Sequence, residues 1–235
     1  MTVLVIDTAL GACTAAVFDG ERPLAVRFEP MAKGHQERLG GLVRDVVTDA
    51  GGQAKTGFDA VERIGVTVGP GSFTGLRVGL AFALGLGAAL DRPVLGLSTL
   101  EALAASVADG GGPVAALIDA RRGQVYARLF DAGGPLGPDA ALTLEAAARA
   151  IQALGRPARW VGSGAPVLAE VFPDLARLDL DARVAPSPQA LARLTRAGDP
   201  AARPPRPLYL RAPDATPPSR LPGQPRQGPA DRASR

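Results

Sequence analysis

Two stretches of this chain read alike, and that repeat constrains the fold more than any other feature. With Asp7 set on Asp119, a shift of 112, Ile6 falls on Ile118, Phe18 on Phe130, Asp19 on Asp131, Pro23 on Pro135 and Leu24 on Leu136, without a gap. Each copy reads as a strand, an Asp-bearing turn, a second strand, a turn and Pro-Leu. A helix follows in each. Gln36 to Ala50 places Leu39, Leu42, Val43, Val46, Val47 and Ala50 on one helical face before Gly51-Gly52, and Thr143 to Leu154 is its counterpart. The strand Arg63 to Val68 is echoed by Arg159-Trp-Val-Gly-Ser-Gly164. The expectation is two duplicated α/β lobes, residues 1–109 and 113–211, divided by Gly110-Gly-Gly-Pro113.

Two lobes in this order, each opening on a hairpin that carries an Asp, resemble the actin, Hsp70 and sugar-kinase superfamily. That resemblance implies a mixed sheet with flanking helices in each lobe. It also implies a cleft between the opening hairpins where relatives hold nucleotide phosphates, although a fold alone licenses no ATP chemistry.

Charge is distributed unevenly. Net charge is +3 overall, and residues 199–235 hold seven Arg against three Asp, net +4, which leaves −1 for residues 1–198. Ten of the 22 prolines lie in that same stretch. Residues 212–235 therefore read as a disordered Pro/Arg-rich tail, and the basic character belongs to it rather than to a folded stripe. One Cys, Cys13, and one His, His35, exclude a His/Cys zinc site, and no metal site is expected. The start lacks a basic n-region, and the apolar run Val78 to Leu90 has 13 residues, so it reads as a buried helix rather than a membrane span. The expectation is a soluble, cytosolic protein.

Three features bear on chemistry. Gly69-Pro-Gly-Ser-Phe-Thr-Gly75 links a strand to a helix, and its amides offer an anion cradle. The lysines are Lys33 and Lys55 alone, so a phosphate loop ending in Gly-Lys-Ser/Thr is excluded. Gly69, Gly71, Ser72, Thr74 and Gly75 are then loop-shaping residues, with Thr74 capping the helix. Second, Gly75, Gly79, Ala83 and Gly87 recur every four residues. Each interior Gly costs about 0.8–1 kcal/mol of helix propensity, so the stripe needs a closely approaching partner, intramolecular by default. Third, Asp7, Thr8, Gly11 and Asp119 mark a vestigial nucleotide cleft. Its carboxylates either position Mg²⁺ and water or bond their own hairpin amides, and the glycine-poor first loop and bulky Ala120-Arg-Arg-Gly123 favour the second role. A Ser72–His35–Asp triad lacks the Gly-x-Ser-x-Gly elbow. His35 reads as a helix-entry residue and Cys13 as a buried thiol.

Val5-Ile-Asp-Thr8, His35-Gln-Glu-Arg-Leu39, Val68-Gly-Pro-Gly-Ser-Phe-Thr-Gly-Leu-Arg-Val-Gly79, Leu97-Ser-Thr-Leu-Glu-Ala-Leu103, Ile118-Asp-Ala-Arg-Arg-Gly-Gln-Val-Tyr126 and Pro207-Leu-Tyr-Leu-Arg211 resemble the TsaB (YeaZ) family. The resemblance covers residues 1–211 and implies a non-catalytic subunit. Its partner would be a TsaD-type transferase that places threonylcarbamoyl on N6 of the adenosine 3′ of the anticodon in tRNA. A TsaE-type ATPase joins the pair. The complex uses ATP and Mg²⁺, this chain holds no cofactor of its own, and tRNA meets it mainly through the complex. The resemblance also implies pairing, with TsaD or with a second copy as a homodimer, through a bundle at Leu39, Leu42, Val43, Val46, Leu76, Gly79, Leu80, Ala83 and Gly87. That reverses the intramolecular default and predicts that Gly79→Leu abolishes pairing in a folded monomer. The chain departs from the family at Ala9, often Ser, and Gln124, often Glu. The rival readings are a stand-alone nucleotide-dependent ATPase or kinase, a peptidase without visible chemistry, and an RNA binder acting through its tail.

Overall fold

The computed structural model describes residues 1–51, 57–107, 111–175 and 180–211. The tail, and the glycines Gly52 and Gly110 that mark breaks in the sequence, lie outside them. The first sheet is built from β1 (Thr2–Asp7), β2 (Ala12–Asp19), β3 (Arg22–Pro30), β4 (Arg63–Gly69) and β5 (Val94–Ser98), in the order β3-β2-β1-β4-β5. β1, β2 and β3 are antiparallel neighbours, and β4 and β5 run parallel to β1. α1 (His35–Gly51) and a 3-10 turn at Gly57–Ala60 link β3 to β4, α2 (Phe73–Leu90) links β4 to β5, and α3 (Thr99–Ala105) follows β5.

The second half repeats this plan. It comprises β6 (Val114–Asp119), β7 (Gln124–Asp131), β8 (Gly134–Pro135), β9 (Ala140–Thr143), α4 (Leu144–Gln152), β10 (Arg159–Val161), α5 (Gly164–Val171), β11 (Leu180–Asp181) and α6 (Pro188–Ala197). The sheet order is β11-β10-β6-β7-β8, with β9 also pairing β7, so the long β3 of the first lobe is broken into two short strands here. The fold is the duplicated α/β arrangement that the repeat predicts, with one difference in register. Asp7 pairs with Thr14, whereas Asp119 pairs with Val125, so the second hairpin loop is one residue tighter than the ungapped alignment implies.

The first sheet is buried on both faces, which is why Val3-Leu-Val-Ile6 is continuously apolar. On one face Leu4, Ile6, Cys13, Ala15, Val17, Ile64 and Val66 pack with α1 and with Leu80 and Ala83 of α2. On the other face Val3, Val5, Ala16 and Phe18 meet Leu191 and Ala192 of α6. In the same way Leu100, Leu103 and Ala104 of α3 pack on Val114, Ala116, Ile118 and Val161 of the second sheet. Each lobe thus receives its last helix from the other. The division into 1–109 and 113–211 describes sequence, but space assigns α3 to the second sheet and α6 to the first. Hydrophobic periodicity shows that a helix has a buried face without showing which sheet receives it.

One helix cap also differs from the sequence expectation. Ser72, not Thr74, caps α2, at extended φ −61° and ψ 123°, and accepts from the Gly75 N–H at 3.3 Å. Ser98 does the same for α3, accepting from the Glu101 N–H at 3.2 Å. A cap must precede the first turn in extended conformation, and Thr74 already lies inside the helix. α2 has 18 residues and is long and apolar enough, by length and composition, to cross a membrane. It lies on the first sheet with Gly75, Leu76, Gly79, Leu80, Ala83 and Gly87 buried, and its opposite side is open. The expectation of a helix buried all round is therefore met on one face alone.

Candidate functional site

The cleft between the two opening hairpins measures about 440 Å³, with Gly11, Ser72, Asp119, Arg121, Ser163 and Val184 among its walls. Gly11 and Asp119 of the expected nucleotide residues are here, while Asp7 and Thr8 are sealed beneath the surface. Asp7 Oδ1 accepts from Thr67 Oγ1 at 2.6 Å and from the Ala9 N–H at 2.9 Å, and its buried Oδ2 has no hydrogen-bond partner. Burial pushes this carboxyl above its ordinary range, against the hydrogen bond from Thr67. Thr8 Oγ1 donates to the Gly75 carbonyl at 2.8 Å, the Ser72 N–H to Ala9 O at 2.7 Å and the Gly11 N–H to Val184 O at 3.0 Å. The amides of Ala9 and Gly11, which a phosphate hairpin would turn to its ligand, are committed to the chain itself. Asp119 closes its own turn, accepting from the Arg121 N–H at 2.8 Å. Each carboxylate thus accepts from an amide of its own turn.

The Gly-rich loop is shaped by close approach. Gly69 has φ +115°, and a Cβ there would stand 2.8 Å from Leu208 O. A Cβ at Gly71 would stand 2.4 Å from Ala9 O. The small-residue stripe is explained in the same way. A Cβ would lie 2.0 Å from Thr8 O at Gly75, 2.4 Å from Thr8 Oγ1 at Gly79 and 2.3 Å from Val94 Cγ2 at Gly87. The close partner is the chain's own first hairpin loop and β5.

That corrects the expected interface. Leu39, Leu42, Val43, Val46, Leu76, Gly79, Leu80, Ala83 and Gly87 are all buried inside the monomer. Apart from Leu39, which borders the groove described below, they offer no surface to a partner, and Gly79→Leu would disturb the fold before any pairing. The outward face of α2 comprises instead Phe73, Ala81, Leu84, Gly85, Ala88 and Ala89, with Val78, Phe82 and Leu86 half-buried. Phe73 and Leu84 are 52% and 45% exposed, and Arg77 is the helix's one charge. A groove of about 530 Å³ runs between α1 and α2 past Gln36, Leu39, Phe73, Arg77, Val78 and Phe82. At its rim the Arg77 guanidinium lies 3.8 Å from the Phe73 ring centre and donates to Tyr209 Oη at 3.2 Å. α2 is apolar on every side, so sequence periodicity is weak there and points to no outward face.

The remaining sequence candidates are structural. His35 opens α1, buried, and its Nε2 makes no hydrogen bond to Ser72. Cys13 is buried, and desolvation pushes its thiol up to about 11. Among the described residues no group of three His, Cys, Asp or Glu could hold a metal ion.

The family model described as TsaD, tRNA N6-adenosine threonylcarbamoyltransferase, matches residues 28–164. The solved structure of YeaZ from Pseudomonas aeruginosa superposes with a TM-score of 0.73 at 31% identity, covering 89% of this chain and 99% of that one. The chain belongs to the TsaB (YeaZ) family. The tRNA threonylcarbamoyladenosine biosynthesis protein TsaB of Escherichia coli (strain K12) is 36% identical over 128 residues, which are 54% of this chain and 53% of that protein. The match thus spans about half the length of that curated relative. An uncharacterized protein of Mycobacterium tuberculosis (strain ATCC 25618 / H37Rv) is 38% identical over 219 residues, 92% of this chain and 94% of its own length. Of the two positions noted as departures in the sequence, Ala9 lines the cleft and Gln124 opens β7. Ala9 is buried in the first hairpin loop, and Gln124 accepts through Oε1 from Arg211.

Proposed function

We propose that this chain is a non-catalytic subunit of tRNA N6-threonylcarbamoyladenosine synthesis that docks a TsaD-type transferase on the outward face of α2 and the groove beside α1. The observation that carries the reading is α2 itself. Its inner face is fully engaged, and its outer face offers Phe73, Val78, Ala81, Phe82, Leu84 and Gly85 with a single charge at Arg77. Contiguous apolar surface of this kind on a folded chain marks a protein partner. The self-bonded hairpin loops support the non-catalytic role, because the Ala9 and Gly11 amides are already satisfied. The complex would draw ATP and Mg²⁺ through its other members, a TsaE-type ATPase among them, and would work in the cytoplasm. In the absence of TsaD the same face would pair two copies of this chain.

The test is an omit-one reconstitution. Transferase, ATPase and threonylcarbamoyl-AMP-forming enzymes from the same source are mixed with tRNA, threonine, bicarbonate and Mg-ATP, and modified adenosine is quantified by mass spectrometry. Modification should require this chain, survive Asp7→Asn and fail with Ala81→Arg/Leu84→Arg, which should keep the wild-type melting profile and lose pairing in calorimetry. Full modification without this chain, or undiminished pairing of the double variant, would overturn the proposal. Tight Mg-ATP binding abolished by Asp7→Asn would favour the stand-alone ATPase instead.

A further inference from the structure

Arg77 is held from two sides. Its guanidinium lies over the Phe73 ring, 3.8 Å from the ring centre, and its Nε donates to Tyr209 Oη at 3.2 Å. Tyr209 packs in turn on Phe73 at 5.4 Å between ring centres, and the neighbouring Leu208 N–H donates to Val68 O at 2.7 Å. One side of the clamp therefore belongs to α2 and the other to the chain segment that crosses β4. With Nε engaged by Tyr209, the two Nη groups are left as a planar fork, and among the described residues no carboxylate pairs with them. A guanidinium already ordered by stacking loses little further freedom on binding, and its fork matches a carboxylate through two parallel hydrogen bonds.

The surface around this cation is apolar. Arg77, Ala81, Leu84, Gly85 and Ala88 form one exposed row along α2, at i, i+4, i+7, i+8 and i+11. The groove of about 530 Å³ beside the row has Leu39, Val78 and Phe82 among its walls, and none of its lining residues is acidic. α2 itself carries no Asp or Glu. A row of small and apolar residues flanked by such a groove suits an α-helix laid alongside it. A nucleic-acid backbone would call for several cations in line, whereas Arg77 is the one charge of α2. In a two-fold pair of identical chains each Arg77 would face a copy of its own surface, whose groove offers no carboxylate. A guanidinium covered there without a partner is costly, so the same charge that attracts an acidic helix opposes self-pairing.

Resting on the docking face proposed above, we infer that Arg77 is a fixed receptor for one Asp or Glu carboxylate on an otherwise apolar helix of the transferase, and that this charge selects the transferase over a second copy of the chain. Apolar contact along Ala81, Leu84 and Gly85 supplies adhesion to either partner. Arg77 supplies the difference between them, and Phe73 and Tyr209 position it.

The experiment compares two affinities of the full chain: for its transferase by titration calorimetry, and for itself by sedimentation equilibrium. Arg77→Gln should weaken transferase pairing about 30-fold or more, the scale of losing one partner of a covered charge pair. Arg77→Lys keeps the charge without the planar fork and should recover only part of that loss. Neither variant should weaken self-pairing, and both should melt cooperatively, since Arg77 is exposed in the monomer. Wild-type transferase affinity in Arg77→Gln would overturn the inference, as would an equal loss of self-pairing, which would mean that the side chain serves shape alone. Loss of affinity for isolated tRNA with transferase pairing intact would assign the cation to phosphate and overturn it as well. The Ala81→Arg/Leu84→Arg variant separates the two readings. If it abolishes transferase pairing while Arg77→Gln does not, the docking face stands and this inference falls; if neither weakens pairing, the proposed docking face falls too.

Discussion

A Cβ at Gly79 would lie 2.4 Å from Thr8 Oγ1, whereas one at Gly85, further along α2, would meet nothing within 4 Å. The same substitution should therefore act in opposite directions. Gly79→Ala should cost about 1–3 kcal/mol by overpacking, and Gly85→Ala should gain about 0.8–1 kcal/mol of helix propensity. Urea midpoints of the two variants check both signs. Asp7 makes a second prediction at this scale. Its folded pKa is raised by burial, so the folded state holds the proton more tightly than the unfolded chain. Its stabilising contribution is complete below the ordinary carboxylate pKa of 3.8 and is lost as pH rises through the folded value. Asp7→Asn should remove that part of the decline in a series of urea melts from pH 4 upward. An unchanged pH profile would show that the carboxyl titrates normally. Its sequence position at the end of the first strand read as a turn carboxylate bonding its own hairpin amides. Its bond from the Ala9 amide was legible as a turn contact, but its bond from Thr67 was not, because Thr67 comes from a strand 60 residues away.

At the scale of elements, α2 and the segment Arg203–Arg211 act together. The segment crosses the first lobe with Gly96 N–H donating to Arg203 O at 2.9 Å and Leu208 N–H to Val68 O at 2.7 Å. Tyr209 then packs on Phe73 at a ring separation of 5.4 Å and accepts from Arg77. Tyr209→Ala should lower stability by about 0.5–1.5 kcal/mol, the scale of one aromatic pair. It should also speed hydrogen exchange at Leu208 while leaving β1 protected. Equal exchange at Leu208 would show that the backbone bonds hold the segment without the ring. Pro207-Leu-Tyr-Leu-Arg211 was legible as a motif, but its place across β4 was not. Nothing in an extended proline-rich stretch specifies the strand it will cover.

The whole molecule is tied by exchange of helices. Leu191 of α6 is fully buried against the first sheet, and Leu103 of α3 against the second. Across the lobes Asp139 accepts from Ser98 Oγ at 2.8 Å and pairs with Arg128 at 3.3 Å. The two lobes should therefore unfold as one. The single Trp, Trp160, is buried in the second lobe and the single Cys, Cys13, in the first. Trp160 fluorescence and Cys13 thiol accessibility should give coincident urea transitions. Leu191→Ala should shift both together, by about 2–5 kcal/mol. Separated transitions would show that the lobes are independent.

The sequence by itself determined the duplicated plan, the two Asp-bearing hairpins, the buried face of α1 and the tight loop from Gly69 to Gly75. All of these rest on local signals: apolar runs, helical spacing and glycine placed where backbone comes close. Only the tertiary structure decided that α3 and α6 change lobes, that the Gly75, Gly79 and Gly87 stripe grips the chain's own loop and β5, and that α2 shows solvent the face through Ala81 and Leu84. Those are choices between surfaces of equal apolarity, and burial free energy follows area without regard to direction. The choice is made by which neighbours fill the space, and those neighbours lie far away in the sequence.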